Sequence, residues 1–151
     1  MEVFNLKDRL EYLDEVMELE LLEWTNEEVK DVKSRILKKK DKFFKYVNDK
    51  YFCKLILVDN NKLIGFISIF PFDSSLEKEL SPWYSTMYVK KEYRGKGYSK
   101  ILNDAILSEA KNRGIDTLYL KTTLNNYYEK YGACFIKLLD NGEKLYKIDI
   151  K

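Results

Sequence analysis

Val89-Lys90-Lys91-Glu92-Tyr93-Arg94-Gly95-Lys96-Gly97-Tyr98-Ser99-Lys100 is the stretch that decides the fold. An apolar, β-rich run from Trp83 to Val89 enters it. A helical period leaves it, carried by Ile101, Leu102, Ala105, Ile106 and Ala110. A strand therefore feeds a basic, glycine-containing turn that opens a helix. Such a junction gathers unpaired backbone N–H groups at one point, and the helix dipole adds positive potential there. Gly95 and Gly97 permit positive φ and a close approach of the main chain to a ligand. Arg94, Lys96 and Lys100 add mobile positive charge. The pattern reads as a phosphate or pyrophosphate site, with an ordinary strand–helix turn as the alternative. It is not a Walker loop, whose Gly-x-x-x-x-Gly-Lys-Ser/Thr spacing is absent. Nor is it the dinucleotide fingerprint, which would need glycine at Lys100.

Working outward, Arg113-Gly114 gives the helix a basic last turn and a glycine C-cap, and Thr117 to Thr122 reads as the next strand. Strand 83–89, helix 98–112 and strand 117–122 form a β-α-β unit, expected to be right-handed and parallel. Upstream, Tyr51 to Val58 and Leu63 to Phe70 flank the turn Asp59-Asn60-Asn61-Lys62 and predict a hairpin. Pro71 to Pro82 reads as a charged loop. Leu6, Leu10, Leu13, Met17, Leu21 and Trp24 predict a first helix, after a short strand at Glu2 to Leu6. Thr25-Asn26-Glu27-Glu28 has capping-box form and would open a second helix carrying Val29, Val32, Ile36, Phe43 and Val47. Within it, Lys38-Lys39-Lys40-Asp41-Lys42 is either a solvated helix face or a phosphate-binding patch. Downstream, Asn125 to Tyr131 predicts a short helix ended by Gly132. Cys134 to Leu139 and Lys144 to Ile150 predict a closing hairpin around Asn141-Gly142. The order β-α-α-β-β-β-α-β-α-β-β is that of a mixed α/β fold, and residues 1–151 show no linker, repeat or low-complexity segment, as expected of a single domain.

The composition narrows the chemistry. The 151 residues contain no histidine, which excludes Ser-His-Asp and Cys-His nucleophiles and His-ligated zinc. The two cysteines, Cys53 and Cys134, stand far apart in no CxxC pattern, so neither a thiolate metal site nor a disulfide framework is expected. A net charge of +2 is too mild to argue for nucleic acid. No apolar run approaches the roughly 18 residues of a membrane span. Met1-Glu2-Val3-Phe4 is followed at once by charges, so no signal peptide is expected, and the expected compartment is the cytoplasm.

Arg94-Gly95-Lys96-Gly97-Tyr98-Ser99 resembles the acyl-CoA signature of the GNAT superfamily of N-acetyltransferases, whose usual form is Arg/Gln-x-x-Gly-x-Gly/Ala. The resemblance extends to Ser81-Pro82-Trp83 and Met87-Tyr88-Val89 as the approach to strand 4. It takes in Gly114-Ile115-Asp116-Thr117-Leu118-Tyr119-Leu120 as strand 5, and Tyr127-Tyr128-Glu129-Lys130-Tyr131-Gly132 as the Tyr-x-x-x-Gly motif. It implies a mostly antiparallel central sheet with splayed strands 4 and 5 and helices on both faces. It implies acetyl-CoA as cosubstrate, no metal, and direct transfer to a primary amine in a ternary complex. The backbone of Met87, Tyr88 and Val89 would pair with the pantetheine arm. The amides of Arg94, Gly95, Lys96, Gly97, Tyr98 and Ser99 would hold the pyrophosphate, with Ser99 standing where Gly or Ala is usual. Asn125 or Asn126 would replace an asparagine that often precedes the tyrosine, and Tyr128 would protonate the leaving thiolate.

The residues themselves accommodate that chemistry. Backbone amides can stabilise a developing oxyanion without histidine, and a tyrosine, with an ordinary pKa of about 10, can donate a proton to a thiolate. For the base, Glu79 leads the candidates of the loop before strand 4, with Asp73 and Glu77; Glu20 and Glu23 near the end of the first helix are the others. Acidic residues at 73–79 would attract a cationic acceptor, a small molecule or a peptide amine. Pairing of two copies through an edge strand or the C-terminal hairpin accords with the resemblance. A binding module that senses acyl-CoA without turnover is the alternative function.

Overall fold

The computed structural model describes residues 1–24, 30–72 and 77–150. Its strands are β1 (Glu2–Asn5), β2 (Cys53–Asp59), β3 (Lys62–Phe70), β4 (Trp83–Val89), β5 (Thr117–Thr122), β6 (Cys134–Leu138) and β7 (Lys144–Asp149). Its helices are α1 (Leu13–Glu23), α2 (Val32–Tyr46) and α3 (Tyr98–Asn112). The capping box at Thr25–Glu28, Val29 and Asp73 lie outside the described residues.

The seven strands form one sheet in the order β1-β2-β3-β4-β5-β7-β6. Every neighbouring pair is antiparallel except β4 and β5, which run parallel. That exception follows from the chain, because α3 carries it back across one face between the two strands. β4 and β5 pair at a single register position, Trp83 with Tyr119, where the Tyr119 amide donates to the Pro82 carbonyl at 3.0 Å. Beyond that point no ladder joins them, and the sheet opens between Tyr84–Val89 and Leu120–Thr122.

The core divides by strand alternation. On β2, Cys53, Leu55 and Leu57 point to one face, where Leu102, Ile106 and Ala110 of α3 cover them. Ile56 and Val58 point to the other, with Phe52 just before the strand, and there they meet Leu13, Val16 and Met17 of α1 and Phe43 of α2. Leu102 and Ile106 are fully buried, and each such side chain contributes about 1.5–3 kcal/mol of transfer free energy. Lys54 occupies the α1/α2 face between Phe52 and Ile56, a position the alternation reserves for the core.

Three elements differ from the sequence expectation. α2 opens at Val32, behind a left-handed Asp31 at φ +54°, and not at the expected capping box. The first helix does not run from Leu6; Leu6–Asp8 and Leu10–Tyr12 are separate 3₁₀ turns. The Asn5 side chain accepts from the Lys7 amide, and Arg9 adopts φ −139°, so local polar bonding displaces the first helical turns. The expected helix at 125–131 shrinks to a 3₁₀ turn over Glu129–Tyr131. Asn126 stands at φ +57°, a left-handed conformation that a right-handed helix cannot include.

Candidate active site

The opening between β4 and β5 holds a groove of about 500 Å³ lined by Met87, Tyr88 and Val89, by Arg94, Gly95, Gly97, Tyr98 and Ser99, and by Glu23, Leu124, Tyr127 and Tyr128. Strand 4, the glycine turn and the tyrosine motif thus converge on one space, although Tyr128 is about thirty residues beyond the turn in sequence. Lys96 lies in the same turn, exposed to solvent. Asn125 is exposed and does not line the groove.

The turn is built by backbone conformation. Gly95 and Gly97 adopt φ +79° and +82°, and a Cβ at either would meet nothing within 4 Å. The glycines therefore supply left-handed conformation and an unobstructed main chain, not room for packing. Gly97 is the N-cap of α3 and offers no side chain to cap it. Among the described residues the amides of 95–97 donate to no backbone carbonyl outside the regular elements. Together with the first amides of α3, this leaves a run of donors facing solvent at the positive end of a fifteen-residue helix. That donor set fits a pyrophosphate.

The cations around the turn are less mobile than their sequence suggests. Arg94 Nε donates to the Val89 carbonyl at 2.7 Å, and its guanidinium lies 5.4 Å from the Tyr88 ring centre. Arg94 thereby ties the turn to the end of β4 and keeps its remaining N–H groups for the groove. Lys100 pairs with Asp104 at 2.6 Å on the surface of α3. Ser99 Oγ is 3.1 Å from the Tyr131 hydroxyl, which links the start of α3 to the tyrosine motif.

Tyr128 packs edge-on against Tyr84 at 5.9 Å and Tyr127 at 4.8 Å between ring centres. Burial, reinforced by the neighbouring Tyr127 and Tyr131 hydroxyls, pushes its pKa up to about 12. Tyr84 is also pushed up, chiefly by burial, but its hydroxyl is spent on Asn103 Oδ1 at 2.8 Å. Among these tyrosines, Tyr127 and Tyr128 line the groove.

The geometry of β4 at this point is irregular. Phe66 and Ser68 of β3 pair with Tyr88 and Ser85 of β4, so two steps on one strand face three on the other. This bulge puts Thr86 at φ +54°, and Ser68 Oγ lies 2.8 Å from Thr86 Oγ1. A bulge re-aims the backbone groups beside it, here those of Met87 at the mouth of the groove.

A second space of about 830 Å³ adjoins the groove and shares Glu23, Met87, Leu124 and Tyr128 with it. Its carboxylates are Glu20, Glu23 and Glu143. Glu79 lines neither space. It lies beside Glu77, which is held at 2.7 Å by Lys137 of β6, and that hydrogen-bonded cation draws the Glu77 carboxyl below its ordinary range. Glu77 is thus occupied in a structural pair, and the acidic character of the cleft comes from α1 and the β6–β7 turn instead. Sequence reading also missed Lys54; a lysine at an inward position of an apolar strand was its available signal.

Residues 13–133 match the family model for the acetyltransferase (GNAT) family. The chain belongs to the GNAT acetyltransferases. N-alpha-acetyltransferase 30 of Schizosaccharomyces pombe is 33% identical over 89 residues, 56% of this chain and 59% of that protein, so the match spans less than two thirds of the relative. Solved GNAT structures share the fold from end to end. An aminoglycoside 6'-N-acetyltransferase complexed with coenzyme A superposes with a TM-score of 0.75 at 20% identity, covering 100% of this chain and 98% of that one. The PaiA N-acetyltransferase of Thermoplasma acidophilum, in complex with coenzyme A, gives 0.66 at 21% identity, covering 99% of each chain. The opened β4–β5 pair, with helices on both faces of the sheet, is the GNAT arrangement expected from the turn at 94–99.

Proposed function

We propose that this chain transfers the acetyl group of acetyl-CoA to a primary amine by direct attack while both substrates are bound. The observation that carries this reading is that Glu23, Met87 and Tyr128 line both the groove and the adjoining cleft. A thioester in the one space and an amine in the other would meet at these residues. The donors of 95–99, with Lys96 and the free N–H groups of Arg94, would hold the pyrophosphate, and the exposed edge of β4 at Met87–Val89 would take the pantetheine arm.

Three needs must be met at the junction. The amine must be neutral, the thioester oxygen must find a donor as it gains charge, and the departing sulfur must gain a proton. The C–N bond forms as the C–S bond breaks; nitrogen gives up one proton and sulfur receives one. The Met87 amide, beside the bulge at Thr86, would serve the oxygen. Tyr128 Oη gives its proton to sulfur. Burial, which raises the Tyr128 pKa to about 12, keeps that hydroxyl protonated until the sulfur departs. Glu23, at the junction, is better situated than Glu79 to receive the amine's proton through solvent. Holding the two substrates in contact supplies much of the remaining rate.

Purified protein, acetyl-CoA and an amine panel test the assignment through release of CoA. Tyr128→Phe lowers kcat by about 10²–10⁴-fold, whereas Tyr127→Phe, its neighbour in the same groove, lowers it far less. Equal rates in the two variants overturn the role of Tyr128. Tight acyl-CoA binding with no transfer to any amine favours a sensing module.

A further inference from the structure

Past Glu20, Lys39, Ser85 and Thr86 the cleft continues inward under α1 and α2 into a cavity of about 130 Å³. A cavity of roughly 150 Å³ admits a benzene-sized group, so this one suits the end of a small molecule. Phe43, Phe52, Phe70 and Phe72 wall it, and Ser68 and Thr86 present hydroxyls. Three lysines, Lys39, Lys42 and Lys54, line it against one carboxylate, Glu20. Lys54 is paired with Glu20, and Lys39 Nζ lies 3.5 Å from the same carboxylate. Lys42 Nζ sits 4.5 Å from the centre of the Phe70 ring and, among the described residues, makes no ion pair. The lining therefore carries more positive than negative charge, in a partly aromatic space that opens to solvent at Lys42 and Phe72.

Charge alternates along the three connected spaces. The groove ends on the cationic turn at 94–99, the junction carries Glu23, and the inner cavity carries Lys39 and Lys42. An acceptor lying across the cleft with its amine at Met87 and Tyr128 would put its far end among the lysines. We propose that the inner cavity is an anion pocket, and that the acceptor is a small amine whose own molecule carries a carboxylate or phosphate received by Lys39 and Lys42. This rests on the amine-transfer reading above. It departs from the expectation of a purely cationic acceptor drawn by the 73–79 loop, because Glu77 is committed to Lys137.

Acceptor pairs that share an amine and differ in the anion decide the matter: phenylalanine against 2-phenylethylamine, glycine against methylamine, and O-phosphoethanolamine against ethanolamine. The anionic member of at least one pair is expected to show a kcat/KM about tenfold or more higher, a 1.4 kcal/mol preference. The carboxylate and phosphate arms tell which anion is favoured. Lys42→Met brings the preference to near unity and Lys42→Arg restores it, with acetyl-CoA binding by calorimetry reporting that each variant folds. Transfer with equal or inverted preference in every pair, or a preference that survives Lys42→Met, overturns the anion pocket and leaves amine transfer standing. Acetyl-CoA binding with no transfer to any member overturns the amine-transfer reading itself.

Discussion

Lys54 of β2 and Glu20 of α1 form an ion pair beneath the α1/α2 face, with the lysine only 5% exposed. Burial pushes the Lys54 pKa down, and the Glu20 charge opposes it. Burial alone would raise Glu20, but the charges of Lys54 and Lys39 and their hydrogen bonds bring it below its ordinary value. A buried pair of this kind is weak evidence for net stabilisation, yet removing one partner strands the other. Glu20→Gln should therefore cost about 3–5 kcal/mol, seen as a fall in Tm of roughly 6–20 °C for a chain of this size. The double variant Glu20→Leu with Lys54→Met should recover most of that loss. An additive double variant would show that the two residues do not act as a pair.

The same pair sets an acid limit. A carboxyl whose folded pKa lies below its unfolded value of about 4.3 contributes stability above that value and loses it as pH falls through the folded pKa. Denaturant melts of the native chain should therefore show stability falling from about pH 4.5 downward. The slope should be shallower in the Leu/Met double variant, and equal slopes would remove Glu20 from the account.

Tyr128 gives a distinct pH signature. Its pKa, raised to about 12 chiefly by burial, keeps the hydroxyl protonated throughout the range in which the acceptor amine loses its proton. The rate should rise with pH as the amine becomes neutral, with no fall up to pH 10. A descending limb centred near pH 10, where an ordinary tyrosine titrates, would contradict the buried-acid assignment.

The elements around the turn were legible because each is bounded locally. Trp83–Val89, Tyr98–Asn112 and Thr117–Thr122 occur where the strand and helix periods change at glycine or charged residues. The three misread segments failed for local reasons also, the Asn5–Lys7 hydrogen bond and the left-handed Asp31 and Asn126, none of which leaves a trace in hydrophobic period. The groove was largely visible through Gly95, Gly97 and the Tyr128-to-Gly132 spacing. The acceptor side was not. Lys54 and Glu20 each interrupt an apolar face, but only the packing of α1 over β2 joins them across 34 positions. Glu79 looked well situated in the chain, yet its loop turns toward Lys137 of β6.

Gly97 should be sensitive for a conformational reason alone. At φ +82°, with open space around a would-be Cβ, Gly97→Ala incurs the left-handed penalty of roughly 1–2 kcal/mol without a clash. Part of it appears as lower stability and part as a shifted turn. The expected readout is a several-fold weaker acetyl-CoA affinity by calorimetry, with the far-ultraviolet spectrum unchanged. Unaltered affinity would show that the conformation of this turn does not govern binding.

The bulge at Thr86 offers a test of how the β4 backbone is aimed. A β-branched residue at φ +54° costs on the order of 1–3 kcal/mol and persists only where its surroundings hold it. The contact that does so is Ser68 Oγ, 2.8 Å from Thr86 Oγ1. Ser68→Ala should remove about 1 kcal/mol of stability. It should also lower kcat severalfold with little change in KM for acetyl-CoA, because the Met87 amide is re-aimed while the pyrophosphate turn is untouched. Thr86→Ser keeps the hydroxyl and drops the methyl that disfavours left-handed backbone, so it should retain kcat and gain slightly in stability. Thr86→Val keeps the branch and loses the hydroxyl, and should match Ser68→Ala. If Ser68→Ala and Thr86→Val lose stability alone, with kcat intact, the hydrogen bond holds the sheet together but does not position the reacting backbone.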